Sequence, residues 1–280
     1  MNENNFKYLD DQIFYKNFGR GHSEKLKEKM KEGKADFTLI HQQDFGKDAT
    51  VATLHFRKSS ESDMYFFNSY DLSLKVAGQK GPIKQTFYIN NDPKKREHED
   101  ITLKEGYNLL SGRAVNKNMV SKEGATYNAW VQLDFKVADT RGNYEEKKFH
   151  QNYGFDLEKS LGKHPIKELG EEKSREYLSD SLKRGNRQSV TLQHGGVDQK
   201  IFVEAAPQYK GLNFYDNNMK RLNMQTLYES KGEGQSEKKA EGKQEGKSAA
   251  VKQDAGDDEG GGGNRSQNTS KRKSRGQGIA

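Results

Sequence analysis

The strongest constraint on this chain is a local phrase used three times: a short helix closed by Gly, a strand, a Gly turn, a second strand, and a third strand with aromatics. The first copy closes its helix at Gly33, places strands at residues 37–40, 51–56 and 64–67, and turns at Gly46. The second closes at Gly112, turns at Gly124 and uses residues 114–115, 129–135 and 147–150. The third closes at Gly185, turns at Gly195 and Gly196 and uses residues 189–192, 201–203 and 212–215. Helices commonly end on a left-handed residue, which Gly reaches without steric cost, so each closing Gly reads as a helix stop. The helix-closing and turn glycines stay about ten to thirteen residues apart, which fits either an internal duplication or generic α+β grammar shared by unrelated segments. Both predict an α+β fold of antiparallel sheets with helices packed on one side, in about three such units.

The phrase stops before the chain does. From residue 229 onward the only large apolar residues are Val251 and Ile279, so residues 229–280 cannot offset the entropy of ordering and read as a disordered charged tail. The roughly 228 residues before it suffice for one large or two small cores. All 14 Phe, all 13 Tyr and Trp130 lie there.

Within that part, Phe6, Leu9, Ile13 and Phe14 share a helical face, and Ser23 reads as the N-cap of the helix ending at Gly33. Residues 64–67, 72–76 and 86–89 read as separate strands, with a Gly- and Pro-containing loop at 77–82. Residues 91–100 hold Pro93 and several charges but no apolar residue, and mark the best internal boundary. That divides the chain into an N-terminal α+β domain at 1–95, a C-terminal α+β domain at 96–228 and the tail at 229–280. Thr102 and Glu105 form a capping-box pattern at the next helix. Residues 155–161 and 166–183 read as helices, Pro165 suiting the first turn of the second.

Absence of Cys removes disulfides, thiolate metal sites and thiol nucleophiles. The polar start and the lack of any long apolar window predict a protein of the bacterial cytoplasm with no membrane contact. The seven His form no His-x-x-x-His pair, the Gly-Lys pairs at 33–34 and 46–47 lack the frame of a phosphate loop, and no Gly-x-Ser-x-Gly elbow occurs. No catalytic residue, metal ligand or cofactor is expected. A hydrolase would need a deep pocket with converging carboxylates, His or Tyr.

Net charge is +7, of which the tail supplies +2 through 11 basic and 9 acidic residues, so total charge alone does not argue for nucleic acid. Three basic clusters do. Lys271, Arg272, Lys273 and Arg275 end the tail, where tethered cations neutralise phosphates without reading bases. Lys94, Lys95 and Arg96 fall in a predicted loop, and Lys183, Arg184 and Arg187 fall at a helix end, where cations also complement the helix dipole. Tyr65, Phe66, Phe67 and Tyr70 are the densest aromatic group. Alternation sends them to both faces of a strand, so they serve either as core or as a stacking platform, with core favoured there and for Tyr127 and Trp130.

Further along, the runs at residues 109–117, 127–135, 150–158, 165–169, 183–191 and 204–210 resemble an uncharacterised family of anaerobic gut bacteria, strongly over about 100–228. Among them are Leu109-Leu110-Ser111-Gly112-Arg113-Ala114-Val115 and Asn152-Tyr153-Gly154-Phe155-Asp156-Leu157. Members of that family sit on conjugative transposons, with the domain attached to or beside type IA DNA topoisomerases. The resemblance implies a setting in DNA processing or transfer and supplies no catalytic or binding residues. It leads to the expectation of a non-enzymatic accessory protein of a mobile element that binds nucleic acid weakly, or binds a topoisomerase or other DNA-processing partner. The rival expectation is a protein-interaction module with no direct nucleic-acid contact.

Overall fold

The hydrophobic alternation resolves into three antiparallel sheets, each preceded by a helix that ends on Gly. The structure, a computed structural model, describes residues 1–79, 81–95, 97–194, 196–225 and 228. Helix α1 (Glu3–Ile13) passes into a π turn at Phe14–Phe18, and α2 (Ser23–Glu32) leads into strands β1 (Asp36–Phe45), β2 (Asp48–Lys58), β3 (Tyr65–Lys75) and β4 (Ile83–Tyr88). Helix α3 (Leu103–Leu110) leads into β5 (Val115–Val120), β6 (Thr126–Ala138) and β7 (Tyr144–His150). After α4 (Leu157–Leu161), helix α5 (Glu172–Lys183) leads into β8 (Gln188–His194), β9 (Val197–Ala206), β10 (Gly211–Tyr215) and the short β11 (Arg221–Leu222). Each sheet is a meander, in the orders β1-β2-β3-β4, β5-β6-β7 and β11-β10-β9-β8. The helix-closing Gly33, Gly112 and Gly185 have φ of 72°, 79° and 78°, in the left-handed region.

Two cores hold these units together. The first packs the inner face of the first sheet, through Leu54, Phe67, Tyr70 and Leu72, against Leu9, Leu26 and Leu103 of the helices. It continues past residue 95 to Leu109, Val115 and Val131. Trp130, Phe149, Leu161, Leu182, Ile201 and Phe214 belong to the second core. Adjacent strand residues face opposite ways, so Val131 and Trp130 place β6 between the two cores. All described residues fall in one compact unit.

Several local expectations differ from the structure. The runs at 64–67 and 72–76 fall on one strand, β3 (Tyr65–Lys75), with Met64 and Val76 just outside its ends, because its inner face stays apolar from Tyr65 to Leu74. Ser23 is the first residue of α2 rather than its N-cap, since its hydroxyl donates to Asp10 Oδ1 at 2.5 Å while His22 occupies the cap. Residues 166–183 are not one helix. Ile166 bridges to Leu192 and the Pro165 carbonyl accepts from Gln193 N at 2.8 Å, which holds this stretch extended until a 3-10 turn and then α5 begin. The capping box of Thr102 and Glu105 is formed in both directions. Glu105 also meets Lys117 of β5 at 2.8 Å in a buried ion pair, tying α3 to the second sheet.

Candidate nucleic-acid interface

Alternation along β1 to β4 puts most apolar residues on the helix-covered face and leaves mainly polar side chains on the other, together with exposed Ile40, Val51 and Tyr88. Cross-strand register lines Thr38, His55, Ser69 and Tyr88 into one row, and Ile40, Thr53, Asp71 and Thr86 into the next. Tyr88 is 64 % exposed and its neighbour Phe87 is buried, the pattern of a strand covered on one side. Phe66, one row further along β3, is half-buried.

Hydrogen bonds run across this face. His55 Nε2 meets Asp71 Oδ2 at 2.7 Å, and Thr86 Oγ1 donates to Asp71 Oδ1 at 2.7 Å. Arg57 Nε donates to Asp36 Oδ1 at 3.0 Å, with both side chains largely in solvent. Such exposed pairs contribute little to stability, at most about 1 kcal/mol.

The face is completed from a distance by the hairpin joining β6 to β7. Its tip caps the β4 edge: Thr86 N donates to Asn143 Oδ1 at 2.8 Å, and Gln85 exchanges hydrogen bonds with the Tyr144 backbone at 2.8 and 3.3 Å. Covering an edge strand in this way blocks unwanted pairing. Within the tip, the backbone amides of Asn143 and Arg141 donate to Asp139 and hold its carboxyl below the ordinary value, so it stays ionised and pins the turn. The pinned turn delivers Arg141 to the sheet. It borders two clefts of 910 and 350 Å³ that share Asp71 and Thr86, and its guanidinium makes no ion pair among the described residues. The assembled surface offers a free guanidinium, one exposed aromatic ring at Tyr88, and hydroxyl and amide groups at one open face.

The basic residues singled out in the sequence are dispersed. Lys271, Arg272, Lys273, Arg275 and Arg96 lie outside the described residues. Lys94 and Lys95 end a 3-10 turn just beyond β4. Lys94 is exposed, and the Lys95 carbonyl accepts from Asn90 Nδ2 at 2.6 Å. Lys183 and Arg184 are exposed at the end of α5, Lys183 reaching Asp180 at 3.8 Å and the Arg184 carbonyl accepting from Asn108 Nδ2 at 2.6 Å. Arg187 is committed internally: its Nε and Nη2 donate to Glu204 Oε2 at 3.0 and 2.9 Å, and its guanidinium lies 4.1 Å from the Tyr215 ring centroid. Glu204 is buried and also accepts from Asn213 and Tyr215, so Arg187 neutralises a charge inside the third sheet. No hydrogen bond or ion pair among the described residues joins the 94–95 cluster to the 183–187 cluster.

Of the dense aromatic group, Tyr65, Phe67 and Tyr70 are core, as is Trp130. Tyr88 and Arg141 were missed by sequence reasoning. Tyr88 had a signal, its place opposite Phe87 in an alternating strand. Arg141 had none, because only the docking of a distant hairpin brings it to the first sheet. No protein-family model, curated protein or solved structure matches the chain. No helix among the described residues is long and apolar enough to cross a membrane.

Proposed function

We propose that the chain is a non-enzymatic accessory protein of a mobile genetic element that contacts single-stranded nucleic acid through the open face of its first sheet. The observation that carries this reading is the uncovered face itself, where exposed Tyr88 and the unpaired Arg141 flank hydrogen-bonding side chains. Base stacking on an aromatic ring tolerates any sequence, and a guanidinium beside it takes the phosphate, the two needs of a single-strand binder. The resemblance to a family found beside topoisomerases favours a DNA-processing setting. Basic segments such as Lys94, Lys95 and the tail cluster would add affinity that is sensitive to salt.

The test is fluorescence anisotropy with labelled single- and double-stranded oligonucleotides over a salt series. Tyr88→Ala should weaken single-strand binding at least about fivefold, the loss of one stacked base. Arg141→Ala should weaken it and lower the salt slope by about 1. Binding that survives both substitutions but is lost on removing residues 229–280 would move the contact to the tail. No binding at low salt overturns the nucleic-acid reading.

A second reading is favoured by β1, a ten-residue edge strand with neither Lys nor Pro to discourage pairing. Strand addition there would make the chain a protein-interaction module. Pull-down by the intact chain but not by an Ile40→Pro variant would support it.

A further inference from the structure

Three sheets have six edges, and all but one of these are guarded against pairing with a further strand. The hairpin tip covers β4 through Asn143. On β5, Glu99 N donates to the Asn118 carbonyl at 2.9 Å and Asn118 N donates to Glu99 Oε2 at 2.7 Å. On β8, Gln193 N donates to the Pro165 carbonyl at 2.8 Å and Thr191 N donates to the Glu168 carboxylate at 2.9 Å. Strand β7 carries an unbroken run of charge from Glu145 to Lys148, and β11 is only two residues long. Among the described residues, β1 alone is a long edge in unbroken register with its neighbour and without a cover.

The register fixes which groups that edge presents. Lys58 N donates to the Ala35 carbonyl at 2.8 Å, and the pairing of β1 with β2 then runs from Asp36 to Phe45 without a shift. Alternation of hydrogen-bonded pairs turns the backbone of Phe37, Leu39, His41 and Gln43 toward β2. It leaves the N–H and C=O groups of Asp36, Thr38, Ile40, Gln42 and Asp44 pointing outward, and all of these residues are exposed. Ile40 is 62 % exposed and lies near exposed Val51, an apolar pair at the rim of the outer face. The two carboxylates of β1 stand near its ends. Asp36 is met by Arg57 at 3.0 Å, whereas Asp44 meets no cation among the described residues.

We propose that β1 pairs antiparallel with β1 of a second copy of this chain, about a twofold axis at Leu39. This pairing sets Asp36 opposite the partner's Gln42 and Thr38 opposite the partner's Ile40, which covers the exposed isoleucine, and it brings Asp44 to the partner's Lys34. Charge selects the register. An axis at Ile40 would set Asp44 against the partner's Asp36, and an axis at Thr38 would bring it to the partner's Glu32, both like-charge pairs. Lys34 is free to turn to its new partner, because Glu32, which it reaches at 2.8 Å, is also held by Lys29 at 2.7 Å. The axis stands perpendicular to the sheet, so the two first sheets become one continuous sheet with their open faces on the same side. The dimer rests on the strand-addition reading of β1 and names its occupant. The contact is one strand wide, so the dimer should dissociate on dilution.

Sedimentation velocity of the full chain over a concentration series tests the proposal, and the expected result is a monomer–dimer equilibrium. Ile40→Pro removes an outward N–H and no bond to β2, so it should abolish the dimer and leave the sheet folded. Asp44→Lys, at an exposed position, should raise the dissociation constant about fivefold or more, because two cations then face each other at both ends of the ladder. Adding Lys34→Glu to Asp44→Lys should restore the dimer, a recovery that a merely structural effect of either substitution does not give. A chain that stays monomeric at every concentration overturns the proposal. So does a dimer that Ile40→Pro leaves intact, and so does a double variant that fails to recover. A monomer that captures another protein, with capture lost in Ile40→Pro, also overturns self-pairing and leaves strand addition standing with a different partner.

Discussion

The first and second sheets arise from the same phrase and end in opposite situations. On β4, Phe87 is buried and Tyr88 lies in solvent, while on β6 Ala129, Trp130 and Val131 are buried in succession. The strand geometry is shared, and what differs is the neighbour: helices cover one face of the first sheet, whereas a core lies on each side of the second. The open surface of the first sheet is the face that the units leave without a partner, and aromatic content by itself does not locate it.

The contrast is broken most severely at Trp130. Its ring packs edge-on to Phe155 at 5.4 Å within the second core, and Trp130→Ala should cost about 3–5 kcal/mol through lost burial and the cavity left behind. Tyr88→Ala should change stability by no more than about 0.5 kcal/mol, as expected of an exposed strand position. Urea unfolding of the two variants measures both. A similar loss for each would mean that the outer face of the first sheet is covered.

The helix-closing glycines sharpen the comparison at a smaller scale. Gly33 and Gly185 share a left-handed backbone, yet a Cβ at Gly33 meets nothing within 4 Å, while one at Gly185 would lie 2.8 Å from the Ala114 carbonyl and 2.9 Å from Val115. Gly33→Ala should cost about 1 kcal/mol, the conformational penalty alone. Gly185→Ala must also displace backbone at the start of the second sheet and should cost at least about 2 kcal/mol. Equal losses in denaturant titrations would show that α5 shifts freely against that backbone, contrary to the close approach.

Those same glycines mark how far the sequence reaches. Helix stops, turns and alternation are local, and Gly33, Gly112, Gly185 and the Thr102–Glu105 box could be read directly. The continuity of β3 could not, because Asn68 and Ser69 look like a break until Tyr70, Leu72 and Leu74 are seen packing on the same core as Phe67. The site was less legible still. Lys183, Arg184 and Arg187 look like one basic patch in sequence, but Arg187 turns inward to a buried Glu204, a partner 17 residues away. Arg141 reaches the first sheet only because Asn143 and Tyr144 pair with residues 57 and 59 positions earlier. Long-range pairing of polar groups leaves no periodic trace, and it is what assembles the open face.

The smallest expected effect compares the two cores through one imidazole beside each, a buried His22 and a half-buried His164. His22 is buried with its Nε2 3.0 Å from His41 Nδ1, and burial first, then the neighbouring His41 and Lys25, push its pKa below the ordinary 6.5, against a weaker pull upward from Asp10. His164, beside Phe214 and bonded to the Tyr228 hydroxyl at 3.0 Å, is lowered by burial and by Lys163. For each, the unfolded chain takes up a proton near pH 6.5 while the folded chain still resists it, so the contribution to stability is complete above that pH and is lost as pH falls through the folded value. Stability measured by urea should therefore fall between pH 7 and pH 5, each His contributing a slope of at most about 1.4 kcal/mol per pH unit. His22→Gln should remove the share belonging to the first core and His164→Gln the share belonging to the second. A wild-type profile that stays flat over this range would mean that neither ring is held neutral, and a slope untouched by His22→Gln would place the whole effect in the second core.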